Sequence, residues 1–261
     1  MQFTRAIVRP PARTFAAGLS SAAEGPPDLD KALDQHARYV QALRDCGLEV
    51  TSLDCDAAYP DSTFVEDTAV MTERGAIVMR PGAPSREGEV TSMRMCLRNF
   101  HPALPAIEAP GSVDGGDICE ADGHYFIGVS ARTNEHGANQ LARHLHRWSY
   151  TSSIIDIRGN PALLHLKSGV AYLGDGLWVG QGSIGRELRS RTGIVVRDVI
   201  TVTPGEAYAA NCVRVNGSVL VAAGYPLLSA AVEARGCRVV PLEMSEFRKM
   251  DGGLSCLSLR F

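Results

Sequence analysis

The sequence has no long apolar run and no strong charge of either sign. Its 261 residues carry a net charge of −3, with 45% hydrophobic and 21% charged residues. No segment approaches the ~18 consecutive apolar residues of a membrane span, and the small net charge gives no electrostatic basis for binding nucleic acid or an anionic membrane. The first fifteen residues carry arginines in place of the apolar segment of a signal peptide. We therefore expect a globular cytoplasmic protein without nucleic-acid or membrane partners.

Cysteine pairing patterns are absent as well. Seven cysteines is an odd number, and no two of them form a C-x-x-C pair. A disulfide framework and a zinc ribbon are therefore poorly supported. Cys46 and Cys237 each lie where a helical pattern gives way to a strand, as small buried hydrophobes do. We expect a reducing compartment and no resident metal.

Low-complexity segments and a Pro/Gly/Ser-rich linker are also missing, so we expect one domain over residues 1–261. A weak internal repeat runs through the chain. Five copies each place a short apolar strand before a loop of small residues and a helical pattern. In four copies another strand comes before this strand, and a polar hairpin turn joins the two, as in "FVEDTAVMTERGAIVM" and "NCVRVNGSVLVAAG".

The first copy lacks this preceding strand, which the last residues can supply. "GLSCLSLRF" alternates apolar and polar residues as a half-buried strand does. Pairing of the chain ends would close five ββαβ units into a ring, an α/β propeller with five blades. The ring would gather around one axis the polar residues at the start of each unit: Glu66, Asp67, Asp114, Asp117, His165, Asn211 and Cys256.

Cys256 and His165 are the candidates for a nucleophile and a proton carrier. A thiol of pKa about 8.5 needs a base or a cation to become a thiolate, and the Gly252–Gly253 pair permits close approach of a ligand. His165 interrupts an apolar strand, and Asp114 is well placed to fix its tautomer. A buried strand cysteine and a hydrogen-bonded core histidine are the alternatives that the residues leave open.

Three carboxylates, Asp61, Glu66 and Asp67, lie within or just before an otherwise apolar strand. Adjacent strand residues point to opposite faces, so Glu66 or Asp67 faces inward unless the strand begins there. A buried carboxylate needs a cation, lysines are scarce nearby, and a guanidinium pairs bidentately with carboxylates. A cationic substrate is one expected partner, and a solvated turn is the alternative. Arg86 and Arg132 follow repeat strands and could hold a substrate carboxylate or be surface charges.

One glycine pattern suggests a different class of protein. Gly180, Gly182 and Gly185 have G-x-G-x-x-G spacing after a strand, with Asp198 downstream, which is the dinucleotide fingerprint of an oxidoreductase. The loop occupies a position that the other repeats fill without such glycines, and no doubly wound strand order surrounds it. We therefore disfavour this reading and expect no organic cofactor.

In combination, several motifs resemble those of the dimethylarginine dimethylaminohydrolases: "FVEDTAV", "RPGAPSR", "DGGD", "SARTN", "LHLKSG", "AANC" and "DGGLSC". These guanidine-modifying enzymes are built on the five-bladed α/β propeller, or pentein fold. The resemblance covers essentially the whole chain. It implies hydrolysis of Nω-methylated arginines to citrulline and dimethylamine or methylamine through a covalent thiouronium, with neither metal nor organic cofactor.

The resemblance also implies a role for each matching residue. Cys256 would attack the guanidinium carbon, His165 would protonate the leaving amine and later activate water, and Asp114 would pair with His165. The implied substrate ligands are Glu66 and Asp67 for the guanidinium, Asp61 for the α-amino group, Arg86 and Arg132 for the carboxylate, and Leu19 and Met250 through their backbones.

The loop "GLSSAAEGPPD", the expected lid, departs from the family pattern. It carries Glu24 where we expect a histidine or an apolar residue, so the sequence does not decide which N-substituent of the substrate is preferred. Arginine itself, as in arginine deiminases, or citrulline would suit the same Cys–His–Asp chemistry. The pentein fold also serves a ribosome-binding translation factor, but a binding module would not need these axial residues together. A homodimer through an exposed sheet edge is a further expectation left open.

Overall fold

The computed structural model describes residues 2–182, 184 and 194–261. The strands of this part of the chain are β1 (Arg5–Val8), β2 (Glu49–Ser52), β3 (Ala69–Thr72), β4 (Gly75–Val78), β5 (Ile118–Ala121), β6 (His124–Val129), β7 (Thr151–Asp156), β8 (Val170–Tyr172), β9 (Leu177–Gln181), β10 (Asp198–Val202), β11 (Val213–Val215), β12 (Ser218–Ala222), β13 (Arg238–Leu242) and β14 (Leu259–Arg260). The α-helices are α1 (Leu29–Asp45), α2 (Val90–Leu97), α3 (Glu135–Arg147), α4 (Pro226–Glu233) and α5 (Ser245–Arg248). None of the helices in these ranges is long and apolar enough to cross a membrane.

The strands form five small sheets of one design. In β5–β6–β7, β8–β9–β10 and β11–β12–β13, an antiparallel hairpin is extended by a parallel outer strand. The chain ends build the same sheet, because β14 pairs antiparallel with β1 and β2 runs parallel on its other side. The fifth sheet is the β3–β4 hairpin, with a single parallel bridge from Val78 to Ala106 as its outer strand. The predicted propeller, closed by its two chain ends, is confirmed.

Helices cross between the parallel strands of a blade, as parallel pairing requires. Asp28 begins α1 by accepting a hydrogen bond from the Lys31 amide, and Asn134 does the same for α3 through Gly137. The apolar faces of these helices bury side chains such as Tyr39 and Leu141 against their own sheets. The hairpin turns have the predicted chemistry, with positive φ at residues such as Asp122 and Asn216.

The start of each blade differs from the prediction. Glu66 and Asp67 lie on a 3₁₀ turn, Val65–Thr68, and His165 lies immediately before the 3₁₀ turn Leu166–Ser168, so these axial residues do not lie in strands. Cys256 lies in the turn Ser255–Leu257, and only Leu259–Arg260 is strand in the last segment. A 3₁₀ helix has three residues per turn, so neighbouring side chains are not forced onto opposite faces. Both Glu66 and Asp67 are therefore buried at the axis.

Candidate active site

The predicted site residues converge where two cavities meet. The small cavity, of about 30 Å³, is lined by Leu19, Asp61, Asp67, Arg86, Arg132, His165, Met250 and Cys256. The large cavity, of about 710 Å³, shares His165 and Cys256 with it and is also lined by Glu66, Lys167, Tyr208 and Asn211. Asp114 lines neither cavity; it is fully buried behind His165. The fold thus brings all ten predicted site residues to one place.

His165 is bonded to Asp114, as the sequence suggested. Its Nε2 lies 3.1 Å from Asp114 Oδ2, and the other carboxylate oxygen of Asp114 accepts from the Gly82 amide at 2.7 Å. The ring packs so closely on Gly116 that a Cβ there would meet its Nδ1 at 2.6 Å. Burial alone would lower the pKa of His165, but Asp67, Asp117 and Asp114 together raise it to about 9. The imidazole is therefore protonated at neutral pH.

Asp67 forms an ion pair with Arg86, a cation of the chain itself. Its Oδ2 accepts from Arg86 Nη1 at 2.6 Å and its Oδ1 from the Gly116 amide at 2.8 Å. Burial disfavours the charge, yet Arg86 and His165 hold the pKa of Asp67 at about 2. Arg86 also donates to both oxygens of Glu89 at 2.8–3.2 Å and to the Phe64 carbonyl at 3.1 Å. The guanidinium of Arg86 is thus already surrounded by acceptors.

Glu66 is paired with a lysine although lysines are scarce near it in the sequence. Its Oε1 accepts from Lys167 Nζ at 2.5 Å, and its Oε2 accepts from Ser255 Oγ at 2.7 Å. Arg260 Nη2 lies 3.7 Å from the same carboxylate. These cations are more than a hundred residues away in sequence, so a local scan of charge could not find them. A substrate cation would therefore share Glu66 with cations of the chain itself.

Glu66 and Lys167 also form a wall across the propeller axis. Together with Asn211 and Ser255, they line the large cavity on one side and a separate axial channel of about 330 Å³ on the other. The channel continues past Arg260 toward the hairpins of the blades. Because the wall is made of bonded side chains, the two spaces are adjacent but divided.

The segment that carries Cys256 is fixed on both sides. The Tyr39 hydroxyl bonds to the Leu254 carbonyl at 2.9 Å and to Ser258 Oγ at 2.7 Å. Asn211 accepts from the Ser255 amide at 2.8 Å, and a Cβ on Gly253 would meet its Oδ1 at 2.5 Å. The Gly252–Gly253 pair therefore allows close packing against the protein itself rather than against a ligand.

The thiol of Cys256 is partly exposed and faces both cavities. The Gly253 amide points at Sγ from 3.4 Å. Burial, followed by the negative charges of Glu66 and Asp67, raises the pKa of Cys256 to about 12, and Lys167 opposes this only in part. In the free protein at neutral pH, Cys256 is therefore a thiol.

The far end of the small cavity combines one anion and one cation. Asp61 is buried, and both its oxygens accept from the Leu19 amide at 3.0 and 3.1 Å. Burial raises the pKa of Asp61, and Arg132 is among the charges that oppose this. Within the described part of the chain, no ion pair engages the Arg132 guanidinium. Met250 lies on the same wall. A zwitterionic amino acid would find both of its charges matched here.

The loop after Leu19 lies along residues 248–251. Ser20 Oγ donates to the Lys249 carbonyl at 2.7 Å, and the Ser21 amide donates to Asp251 Oδ2 at 2.6 Å. Glu24, the departure from the family pattern, accepts from Arg248 at 2.7 Å beside the large cavity. The loop is therefore fastened over the site by polar contacts.

One group of side chains has the spacing of metal ligands. Ligand atoms of Asp67, Asp114 and His165 lie within 4.8 Å of one another. Those atoms bond to one another, to Arg86 and to backbone amides. We interpret the group as a hydrogen-bonded network that sets the charge of His165.

The described strands next to the glycine-rich loop do not form a dinucleotide-binding fold. Gly180 belongs to β9, in a three-stranded sheet with one antiparallel neighbour, and Gly185 lies outside the described residues. Asp198, expected near a ribose, opens β10 and accepts from Arg235 at 2.6 Å. The strand order required by a dinucleotide fold is not formed by these strands.

Sequence reasoning missed Lys167, Glu89 and Asp117 as contributors to the site. Lys167 comes two residues after His165 in "LHLKSG", and a charge inside that apolar stretch was the available signal. Asp117 was placed at the axis without a role. Glu89 gave no local signal, because only the folded chain brings it to Arg86.

Comparisons with known proteins identify relatives over the whole length of the chain. The family model for arginine deiminase matches residues 57–190. An N(G),N(G)-dimethylarginine dimethylaminohydrolase of Pseudomonas aeruginosa is 42% identical over 260 residues, which is 99% of this chain and 100% of that protein. The enzyme of the same description from Streptomyces coelicolor is 31% identical over 267 residues, 100% of this chain and 98% of the relative.

Solved structures agree in fold. A cysteine-to-serine mutant of the Pseudomonas enzyme, complexed with citrulline, superposes with a TM-score of 0.94 at 41% identity and 100% coverage of both chains. The N-terminal domain of ArgZ, an arginine dihydrolase from cyanobacteria, shares the fold alone, with a TM-score of 0.87 at 18% identity over 100% of this chain and 97% of that one. This chain belongs to the dimethylarginine dimethylaminohydrolase family.

Proposed function

We propose that this protein hydrolyses asymmetric dimethylarginine and monomethylarginine to citrulline, releasing dimethylamine or methylamine, and that residues 1–261 form one catalytic domain. The observation that carries the proposal is the position of Cys256 and His165, which both face the junction of the two cavities. The small cavity offers Asp61 and Arg132 to an amino acid, and buried carboxylates stand beside the thiol. Whole-length similarity to named dimethylarginine dimethylaminohydrolases supports this substrate class.

Substrate binding would place opposite charges together at both ends of the molecule. Asp61 would meet the α-ammonium group, and Arg132 the α-carboxylate. The guanidinium would lie between Glu66 and Asp67, whose charges it would share with Lys167 and Arg86. Holding a planar guanidinium in one orientation beside a thiol contributes several kcal/mol to catalysis, on the order expected for a well-placed near-attack geometry.

The nucleophile would be generated mainly when substrate arrives. Burial and two carboxylates keep Cys256 protonated in the free protein. A bound guanidinium brings a positive charge next to the sulfur and offsets those carboxylates, so the thiol proton is released to solvent water and the thiolate attacks the guanidinium carbon. The C–S bond that forms gives a tetrahedral adduct.

His165 would then act first as an acid and later as a base. The imidazolium, held by Asp114, gives its proton to the dimethylamino nitrogen, and the C–N bond to dimethylamine breaks. The covalent thiouronium remains on Cys256. Neutral His165 takes a proton from water, whose oxygen adds to the same carbon, and collapse of this adduct releases citrulline and returns the thiol.

The test is citrulline release from purified protein. Asymmetric dimethylarginine, monomethylarginine and arginine are compared, with dimethylamine, methylamine or ammonia measured as the co-product. Cys256→Ser is the control for the nucleophile. Citrulline from the methylated substrates that disappears in the mutant establishes the proposal, and no citrulline from folded wild-type protein with any substrate refutes it.

Arginine deiminase activity is the second candidate, because the matching family model carries that description. It requires the same Cys256 and His165 chemistry with ammonia as the leaving group. The same assay separates the two functions, since turnover of arginine alone assigns the protein to the deiminases.

We also propose that the enzyme acts in a reducing compartment, the cytoplasm. All seven cysteines are unpaired, including exposed Cys55, as expected where thiols are kept reduced. The small-molecule substrate would be its functional partner.

A further inference from the structure

Asp117 is a buried charge to which neither the sequence nor the proposed reaction assigns a role. Its side chain is completely inaccessible to solvent. A buried carboxylate without bonded partners would be costly, so its partners indicate what it supports.

The carboxylate of Asp117 joins two loops of the site. Oδ1 accepts from the amide of Leu166, the residue after His165, at 2.9 Å. Oδ2 accepts from Ser130 Oγ at 2.6 Å, and Ser130 Oγ in turn accepts from the amide of Arg132 at 2.9 Å. One side chain therefore reaches both the turn that carries His165 and the turn that carries Arg132.

The backbone of Asp117 adds a third connection. Its amide donates to the Asp114 carbonyl at 3.0 Å, and Asp114, two glycines earlier, holds the His165 ring. The tight 3₁₀ turn Gly115–Asp117 thus places both carboxylates on the same histidine segment. Asp114 contacts the ring, while Asp117 contacts the backbone next to it.

We infer that Asp117 is a positioning residue for this active site: it fixes His165 through the Leu166 amide and fixes Arg132 through Ser130. The inference rests on the proposed function, in which His165 carries protons and Arg132 binds the substrate carboxylate. Asp117 touches neither the substrate nor the reacting atoms. It sets the distance between His165, at the reacting end of the small cavity, and Arg132, at the end that binds the substrate carboxylate.

The negative charge of Asp117 also affects the protonation of His165. The carboxylates that raise the pKa of His165 are Asp67, Asp117 and Asp114, from two different blades, and the Cys256 thiol lines the same two cavities. Burial raises the pKa of Asp117, and the positive charge of His165 opposes this only in part. Neutralising Asp117 should therefore favour neutral His165 and reduce its protonated fraction at alkaline pH.

Asp117→Asn tests the inference directly, because it preserves shape and removes the charge. We expect kcat to fall about 10- to 100-fold, as for a misplaced proton carrier, KM to rise, and the alkaline limb of the pH–rate profile to move to lower pH. Ser130→Ala keeps the carboxylate and its bond to Leu166. It should raise KM while kcat and the pH profile stay close to wild type.

Glu206→Gln is the matched control. Glu206 is also a buried carboxylate, and it accepts hydrogen bonds from the backbone amides of Leu227 and Leu228, but it lies in another blade. Its variant should lose stability without moving the pH profile. A folded Asp117→Asn enzyme with unchanged kcat and alkaline limb overturns the inference. If that variant does not fold, an unchanged KM in Ser130→Ala overturns it, and a raised KM supports it.

NMR titration of the His165 ring separates this inference from the proposed function. The ring titrates whether or not any substrate is turned over. A lower pKa of His165 in Asp117→Asn supports the positioning role even for a protein that releases no citrulline. An identical titration in both proteins refutes it even for an active enzyme.

Discussion

Lys167 and Glu66 form an ion pair of 2.5 Å that joins residues 101 positions apart in sequence. Their side chains are 18% and 5% exposed, and they stand in the wall between the large cavity and the axial channel. The pair neutralises a carboxylate beside Cys256, so this lysine affects both stability and thiol chemistry.

Replacing Lys167 with methionine should therefore lower both the stability of the fold and the catalytic activity. The buried Glu66 charge loses its nearest cation and, among the described residues, keeps the Ser255 hydroxyl and the more distant Arg260, so the change costs roughly 2 kcal/mol of unfolding free energy. The unpaired carboxylate also disfavours the Cys256 thiolate, so we expect kcat/KM to fall at least about tenfold. Denaturant unfolding and citrulline release measure these effects. Lys167→Arg keeps the charge and should retain most activity, and equal losses in both variants would contradict this account.

The Cys256 thiol should react slowly until a cation is bound. With a pKa of about 12, its alkylation rate by iodoacetamide should keep rising with pH and reach no plateau below pH 10. Guanidinium at non-denaturing concentration should move this rise to lower pH, whereas urea, with the same shape and no charge, should not. A plateau near pH 8 in the free protein would show that the thiolate forms without substrate.

His165 should make the protein less stable at alkaline pH. Its folded-state pKa of about 9 is raised from 6.5, so its charge stabilises the fold fully below pH 6.5, and this stabilisation is lost as pH rises through 9. Unfolding free energy, measured by urea titration at pH 6.5 and pH 9.5, should fall more in wild type than in His165→Asn. Equal falls would mean that another group dominates.

Arg132 and Arg86 should behave differently although both line the small cavity. Arg132→Met should raise KM by about 100-fold with little change in kcat, because a charge-assisted contact to the substrate carboxylate is lost. Arg86→Met should instead remove about 3–5 kcal/mol of unfolding free energy, since Asp67 and Glu89 become unpaired inside the protein. Substrate titration and thermal unfolding distinguish them. A stable Arg86→Met protein with only a raised KM would reverse this assignment.

The hairpin turns could be predicted from the sequence because they depend on local chemistry, and the pairing of the chain ends could be predicted because the first copy of the repeat lacks a strand that the last residues can supply. Residues such as Asp122 and Asn216 tolerate positive φ, and "LSLRF" has the alternation of a strand. The repeat then fixed which polar residues meet at the axis. His165 and Asp114 were paired on this basis alone, and the structure brings them to 3.1 Å.

The 3₁₀ turns and the ion pairs could not be predicted in the same way. Glu66 and Asp67 read as strand because their neighbours are apolar, and a single 3₁₀ turn has too few residues to show a period of its own. The partners of Arg86 and Glu66 depend on which blades are adjacent. The sequence repeat locates residues of adjacent blades only to within about one turn, which is too coarse to identify ion-pair partners. The charge balance of the site could therefore be read only from the structure.

The pairing of β1 with β14 has a kinetic meaning. Ala6 pairs with Arg260, 254 positions away in sequence, so this contact carries a large loop-closure entropy and should form late in folding. The turn that holds Cys256 immediately precedes β14. A chain whose blades are formed but whose ring is open would have His165 in place and no ordered thiol beside it. Catalytic competence should therefore appear in one step, together with the final closure of the ring.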